Sequence, residues 1–131
     1  DLAAPGKRML SSMTPTIVAR DGKLLMVTGA EGGRTIISTV LHTILNVLDH
    51  GMNAQEAVDA ARFYHQWLPD TVNHERNGLS PDTLAILKTR GHTFRAIERQ
   101  GSAEVIVVEP RSGKLAGGDD RRNAGGGAAG Y

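Results

Sequence analysis

The chain has 131 residues and a formal net charge of +1, from 15 lysine and arginine residues against 14 aspartate and glutamate residues. This balance, with aromatic residues at only 4%, argues against a nucleic-acid-binding surface, which needs a basic patch or stacking rings. Cysteine is absent, which excludes disulfides and thiolate metal sites. No apolar run reaches the roughly 20 residues that a membrane span requires.

Two strands are predicted near the start of the chain, at residues 16–19 and 24–27. Asp21-Gly22 between them is a hairpin signal, because both residues tolerate the positive φ of a tight two-residue turn. The second strand is apolar on both faces, so we expect it to be buried.

A helix is predicted from about Thr35, followed by a second, shorter one. Gly51 suits the left-handed position after the first helix, and Asn53 with Glu56 forms a capping box for the second. The first helix has a wide apolar face, formed by Ile36, Ile37, Val40, Leu41, Ile44, Leu45 and Leu48.

The second half of the chain alternates between strands and one helix, so an α+β fold in layers is expected. Ser80 and Pro81 are typical of a helix start, with proline at the first helical position, and Trp67 is interpreted as a core or interface anchor. We predict a connector at 65–70, strands at 71–75, 93–97, 103–109 and near Leu115, a helix at 82–90, and a glycine-rich tail at 117–131 that coils over a surface.

The junction between the second strand and the first helix is the most informative feature for function. Gly32 and Gly33 let the backbone approach a ligand closely, and their amides open a helix whose dipole adds positive potential. Such a junction can hold an anion or the oxyanion that develops during acyl transfer. The alternative is a tight turn in which the glycines serve packing alone.

Ser11 and Ser12 are a second candidate, because two adjacent hydroxyls in a loop can donate hydrogen bonds to a carboxylate. Taken alone, such a pair is more often solvated or part of a turn. The five histidines show no metal-ligand spacing, so we expect no metal site. Asp119-Asp120 before Arg121-Arg122 indicates local ion pairs or turns rather than a catalytic dyad.

Two segments resemble the γ-glutamyltransferase family. Residues 5–16, PGKRMLSSMTPT, resemble the family signature PGKRPLSSMSPT, and residues 28–33, TGAEGG, resemble its TGSPGG segment. The similarity continues through residues 51–69 and to the closing residues 129–131, so it spans essentially the whole chain.

The resemblance implies a role in γ-glutamyl transfer or hydrolysis within an αββα N-terminal-nucleophile hydrolase fold, without a metal or organic cofactor. Gly32 and Gly33 would form the oxyanion hole, and Ser11 and Ser12 would bind the α-carboxylate of the γ-glutamyl substrate. The chain would be one partial domain, residues 1–131, a processed chain or fragment from the C-terminal part of a small subunit. It would need the large subunit and the N-terminal part of the small subunit, which carries the threonine nucleophile.

We therefore expect the chain alone to be inactive and prone to self-association, and the complete enzyme to be periplasmic or extracellular. Met9 and Ala30-Glu31 depart from the family pattern, and a carboxylate at Glu31 would repel an anionic substrate if it faces the site. An inert relative with a binding or structural role, and a related acylase or poly-γ-glutamate depolymerase, are the alternatives.

Overall fold

The computed structural model of the protein describes residues 4–8 and 13–130. These ranges contain two β-sheets and three α-helices, with a short 3₁₀ turn at Gly33–Thr35. The elements in chain order are β1 (Thr16–Arg20), β2 (Lys23–Glu31), α1 (Ile36–Leu48), α2 (Ala54–Asp59), β3 (Phe63–Tyr64), β4 (Val72–Glu75), α3 (Pro81–Thr89), β5 (Phe94–Ile97), β6 (Ser102–Val108) and β7 (Leu115–Asp119).

The larger sheet has the strand order β1-β2-β6-β7, and each neighbouring pair is antiparallel. Its β1–β2 hairpin closes where predicted, with Asp21 at φ 51° and Gly22 at φ 73°. Both residues occupy the left-handed region that a tight hairpin turn requires. The long-range β2–β6 pairing then brings the end of β2 beside the start of β6, where Glu31 lies opposite Ser102.

One face of this sheet is covered by α1 and α2, and the core lies between them. Its fully buried members are Met26, Ala54, Val58, Ala103 and Val105. The helix α2 approaches β7 so closely that a side chain at Gly118 would collide with the carbonyl of Ala54. The capping box predicted for α2 is confirmed, since Asn53 and Glu56 exchange side-chain and backbone hydrogen bonds.

The opposite face of the sheet is largely open, so the second strand, which was predicted to be buried, is buried on one face only. Val27 is 36% exposed, and its neighbours on this face are Ile17 at 72%, Ile106 at 46% and Leu115 at 68%. The outer side of α1 is bare as well, with Ile37 at 72% exposed. Apolar periodicity shows which faces of the strands and helices are apolar, but it does not show which segment buries each face.

The smaller sheet, β3-β4-β5, pairs β4 with β5 in parallel through the α3 crossover. Ser80 caps α3 and Pro81 opens it, as predicted. Trp67 is 77% exposed, so it is not a core residue of this chain. Pairing with β6 extends β7 to Asp119, which places the first three residues of the predicted glycine-rich tail in a strand. In the described part of the chain, no helix is long and apolar enough to cross a bilayer.

Candidate active site

The Gly32-Gly33 junction lies between the end of β2 and the start of α1. Gly32 has φ 134° and Gly33 has φ 58°, and both values belong to the region that favours glycine. The Gly32 carbonyl accepts hydrogen bonds from the Thr35 amide at 3.2 Å and from the Thr35 hydroxyl at 3.0 Å. Within residues 4–8 and 13–130, neither glycine amide donates a hydrogen bond to a protein group. Two backbone donors are therefore available to a ligand.

A third glycine holds this junction from the opposite side. Gly101 precedes β6, and a Cβ added at Gly32 would lie 2.8 Å from the Gly101 Cα. A Cβ added at Gly101 would in turn lie 2.8 Å from the Glu31 carbonyl oxygen. The two backbones touch because neither residue has a side chain. The sequence analysis did not find Gly101, since its role comes from a contact 69 positions away rather than from a local motif.

The electrostatic environment of the junction favours a negative ligand. The first turn of α1 contains no acidic residue to neutralise the positive end of the helix dipole. Glu31 directly precedes Gly32 and is exposed. An anion held by the glycine amides would gain from the dipole and lose from Glu31 if that carboxylate turned toward it.

A cavity of about 370 Å³ adjoins the junction. Glu31 and Gly32 form one wall, Arg99, Gly101 and Ser102 form another, and residues 122–124 close the third side. Small-molecule sites span roughly 300–1,000 Å³, so this cavity can hold a ligand of amino-acid size.

A buried ionic network supports the wall formed by residues 122–124. Asp120 and Arg62 are 0% and 1% exposed, and their side chains meet at 2.7 Å. Arg122 binds Asp120 at 3.0 Å and donates from Nε to Glu75 at 2.7 Å. Each charge in the network therefore faces an opposite charge, which is the arrangement that buried ions require.

Backbone groups complete the network and set the protonation states of its members. Burial by itself would raise the pKa of Glu75, but hydrogen bonds from Arg122 and from the amides of Arg62 and Gln100 hold that pKa below its usual value. Burial likewise opposes ionisation of Asp120, and amide donors with Arg62 keep its pKa low. Both carboxylates of the network are therefore charged at neutral pH, and Arg122 fixes the tail against α2 and β4.

A second acidic group lies on the open face of the sheet. Glu104 faces Asp119 across the β6–β7 pair. Partial burial raises the pKa of Glu104 to about 7, and the adjacent Asp119, Asp120 and Glu31 add to the effect. Gly126 packs directly on the Asp119 carboxylate, so the tail covers one member of this pair.

The other sequence predictions for the site have mixed outcomes. Ser11 and Ser12 lie outside the described residues. The described residues contain no group of three or more histidine and acidic side chains arranged to bind a metal. The predicted local pairing around residues 119–122 is present in Asp120–Arg122, but the stronger partners are Arg62 and Glu75. Those partners, and the cavity residues Arg99 and Ser102, were missed because no local pattern marks them.

Comparison with known proteins places this geometry in a family. A γ-glutamyltranspeptidase family model matches residues 1–130. The glutathione hydrolase proenzyme of Escherichia coli (strain K12) is 49% identical over 127 residues, which are 97% of this chain and 22% of that protein. The chain thus spans about a fifth of the length of the curated relatives that it matches.

Solved structures agree with the sequence comparison. A Helicobacter pylori γ-glutamyltranspeptidase mutant superposes with a TM-score of 0.86 at 40% identity, over 92% of this chain and 66% of the other. A cephalosporin acylase from Bacillus halodurans gives 0.73 at 28% identity, over 82% and 20%. The expected fold class is confirmed: the chain has the α+β architecture of part of an N-terminal-nucleophile hydrolase. It belongs to the γ-glutamyltranspeptidase family.

Proposed function

We propose that this chain provides the oxyanion hole of an enzyme that transfers or hydrolyses γ-glutamyl groups from glutathione and related amides. The observation that carries the proposal is the Gly32-Gly33 junction, where two amides without protein partners open a helix beside a cavity. Membership of the γ-glutamyltranspeptidase family supports the substrate class.

The chemistry requires negative charge to be stabilised on a carbonyl oxygen. A nucleophilic hydroxyl attacks the γ-carbonyl carbon and gives up its proton, the C=O electrons move onto oxygen, and their return breaks the C–N bond. The leaving amine takes up the proton that the hydroxyl gave up. Amides that face this oxygen stabilise the charged intermediate more than the neutral substrate, and removing one such donor costs about 10²–10³ in kcat. The nucleophile, an N-terminal threonine by family resemblance, belongs to the part of the enzyme outside this chain.

The α-carboxylate contacts of Ser11 and Ser12 remain part of the proposal. The pairing of Thr16 with Thr28 brings the start of β1 to the sheet end at which β2 leads into Gly32. Residues 13–15, which precede β1, therefore lie at the same end of the sheet as the junction. This position supports a carboxylate site near the oxyanion hole.

The partners belong to the same proposal. Curated relatives are described as proenzymes, which agrees with a single precursor that yields both subunits. The open sheet face and the bare side of α1 offer apolar surfaces for the large subunit and the rest of the small subunit. We propose a periplasmic or extracellular location on the family resemblance.

The test uses the full-length protein with Gly33→Ala and, as a matched control, Gly113→Ala. Both glycines have a left-handed φ, 58° and 71°, and an added Cβ meets nothing within 4 Å at either, so the backbone strain is similar. Gly33→Ala keeps the amide but strains its left-handed backbone, so the donor should shift away from the oxyanion. In the release of aniline from a γ-glutamyl anilide, kcat should then fall by up to about 100-fold, whereas Gly113→Ala should not lower it. Equal activity in the two variants would contradict the oxyanion role.

Two further measurements separate the alternatives. The Ser11→Ala, Ser12→Ala double variant should raise KM for the anilide, and unchanged kinetic constants would remove the carboxylate site. Because the fold is similar to a cephalosporin acylase, a related acylase activity is the alternative to γ-glutamyl transfer. A panel of γ-glutamyl, glutaryl and poly-γ-glutamate substrates decides between these enzymes, and inactivity toward all of them would favour an inert relative.

A further inference from the structure

We propose that Thr35 is a positioning residue for the glycine junction: its hydroxyl holds the Gly32 carbonyl and thereby aims the Gly33 amide at the reacting oxygen. The inference rests on the proposed acyl-transfer function and adds a residue to it. Its basis is a hydrogen bond across the junction, the rotational freedom of the peptide that this bond holds, and the packing around Thr35.

The peptide bond between Gly32 and Gly33 supplies one of the two available amides. It is trans and planar, so its C=O and N–H groups point in opposite directions. The Gly32 carbonyl oxygen accepts hydrogen bonds from the Thr35 hydroxyl at 3.0 Å and from the Thr35 amide at 3.2 Å. Both donors belong to the residue that directly precedes α1. The Gly33 amide of the same peptide therefore points away from Thr35.

This peptide needs an anchor because it has a glycine on each side. Turning the peptide over would exchange the positions of its carbonyl and its amide, and it would change ψ of Gly32 and φ of Gly33. Side chains restrict such rotations, whereas glycine reaches both positive and negative φ at little cost. Steric restriction therefore does not fix the direction of the Gly33 amide, and the hydrogen bonds to the Gly32 carbonyl do.

The hydroxyl of Thr35 also improves the amide as a donor. Hydrogen bonds to a carbonyl oxygen polarise the peptide, which strengthens the N–H group at its other end. Of the two bonds that the Gly32 carbonyl accepts, only the one from the hydroxyl depends on the side chain at position 35. Loss of this hydroxyl would leave the peptide with one anchor and with a weaker donor.

The packing around Thr35 confines its hydroxyl to the place where it meets the carbonyl. Threonine is branched at Cβ, so few χ1 values are open to it. A Cβ added at Gly32 would lie 2.8 Å from the Thr35 hydroxyl oxygen. A Cβ added at Gly101 would lie 3.5 Å from the same oxygen and 2.9 Å from the hydroxyl oxygen of Thr39. The hydroxyl thus occupies space that exists because residues 32 and 101 have no side chains.

The experiment compares Thr35→Val and Thr35→Ser in the full-length protein, with a γ-glutamyl anilide as substrate. Valine keeps the shape of threonine and lacks the hydroxyl. Thr35→Val should lower kcat roughly tenfold, less than deletion of a donor would, because the amide remains but is no longer held in direction. KM should change by less than about twofold, since the amide contributes more to the charged intermediate than to the neutral substrate. Thr35→Ser retains the hydroxyl and should restore kcat.

The matched control is Thr89→Val in α3. The Thr89 hydroxyl donates to the Ile86 carbonyl oxygen at 2.7 Å, so it also bonds a carbonyl three residues earlier, at an exposed position outside the cavity lining. Thr89→Val should leave kcat and KM at the level of the parent enzyme. Melting temperatures check that both valine variants fold, and Thr35→Ala carries the same prediction if Thr35→Val does not.

Two results would overturn the role of Thr35: a kcat for Thr35→Val equal to that of Thr89→Val, or the same loss in Thr35→Ser as in Thr35→Val. Either result leaves the proposed function standing as long as the parent enzyme hydrolyses the anilide. If the parent enzyme does not hydrolyse it at all, the proposed function fails, and the role of Thr35 fails with it.

Discussion

Two neighbouring groups of charged residues differ in burial and in whether their charges are already neutralised. The ionic network of Arg62, Glu75, Asp120 and Arg122 is buried, and each charge in it meets an opposite charge. Glu31 and Arg99 line the adjoining cavity, and neither forms an ion pair within the described residues.

The difference separates charges that support the fold from charges that are available to a ligand. Buried ions that lose a partner are costly, so the network is committed to structure. Exposed charges cost little without a partner, so Glu31 and Arg99 remain available to bind a ligand. Proximity to the glycine junction would not have distinguished the two groups, since both adjoin the same cavity.

The largest expected effect comes from breaking the network. Asp120→Asn removes the carboxylate that faces two guanidinium groups and should lower the free energy of unfolding by about 3–5 kcal/mol, because Arg62 is left charged and buried. Glu31→Gln in the cavity should change it by less than about 0.5 kcal/mol. Urea unfolding of the two variants measures the contrast, and similar losses would show that the two groups do not differ as described.

Substitution of the junction glycines should give an intermediate effect. Gly32→Ala places a Cβ 2.8 Å from both the Gly101 Cα and the Thr35 hydroxyl, and it should cost about 2–4 kcal/mol of unfolding free energy through overpacking and backbone strain. Gly33→Ala meets no atom within 4 Å and should cost about 1–2 kcal/mol for its left-handed backbone alone. Urea unfolding measures the loss of unfolding free energy in each variant. A larger loss for Gly33→Ala than for Gly32→Ala would refute the contact between Gly32 and Gly101.

The smallest effect should come from Glu104, whose pKa is raised to about 7 by partial burial and by Asp119. An acid whose folded pKa lies above its unfolded value loses stability as pH rises from about 4.5 to 7, because the folded state holds the proton longer. Glu104→Gln should therefore raise the melting temperature at pH 8 relative to the parent chain and have no such benefit at pH 4. The gain should stay below about 1 kcal/mol, since the side chain is exposed.

Glu109→Gln is the control, because it removes the same charge at an exposed position. Thermal melts of both Glu variants at the two pH values make the comparison. A pH-independent difference between Glu104→Gln and the parent would contradict the raised pKa.

Local features of the fold could be predicted because their physics lies within a few residues. The Asp21-Gly22 turn, the Asn53–Glu56 capping box and the Ser80-Pro81 helix start all depend on neighbours in sequence. The strand β7 was partly missed because Gly117 and Gly118 resemble a loop, whereas Gly118 is needed for close contact with α2.

The residues of the candidate site likewise divide into those that a local sequence pattern predicts and those that only the folded structure brings together. Gly32 and Gly33 stand out because glycines directly before a helix expose backbone amides at its positive end. Gly101, Arg99 and Ser102 reach the cavity only through the β2–β6 pairing, which joins segments about 70 positions apart. Sequence patterns carry no information on such pairings without the register of the sheet.

The open face of the four-stranded sheet has a practical consequence for handling the protein. Ile17, Ile106 and Leu115 present a bare hydrocarbon layer to water, and layers of this kind adhere to one another. Samples of the chain purified alone should scatter more light as they are concentrated, and a mild non-ionic detergent should clear them. Under the proposed function, co-production with the rest of the enzyme should remove the need for detergent.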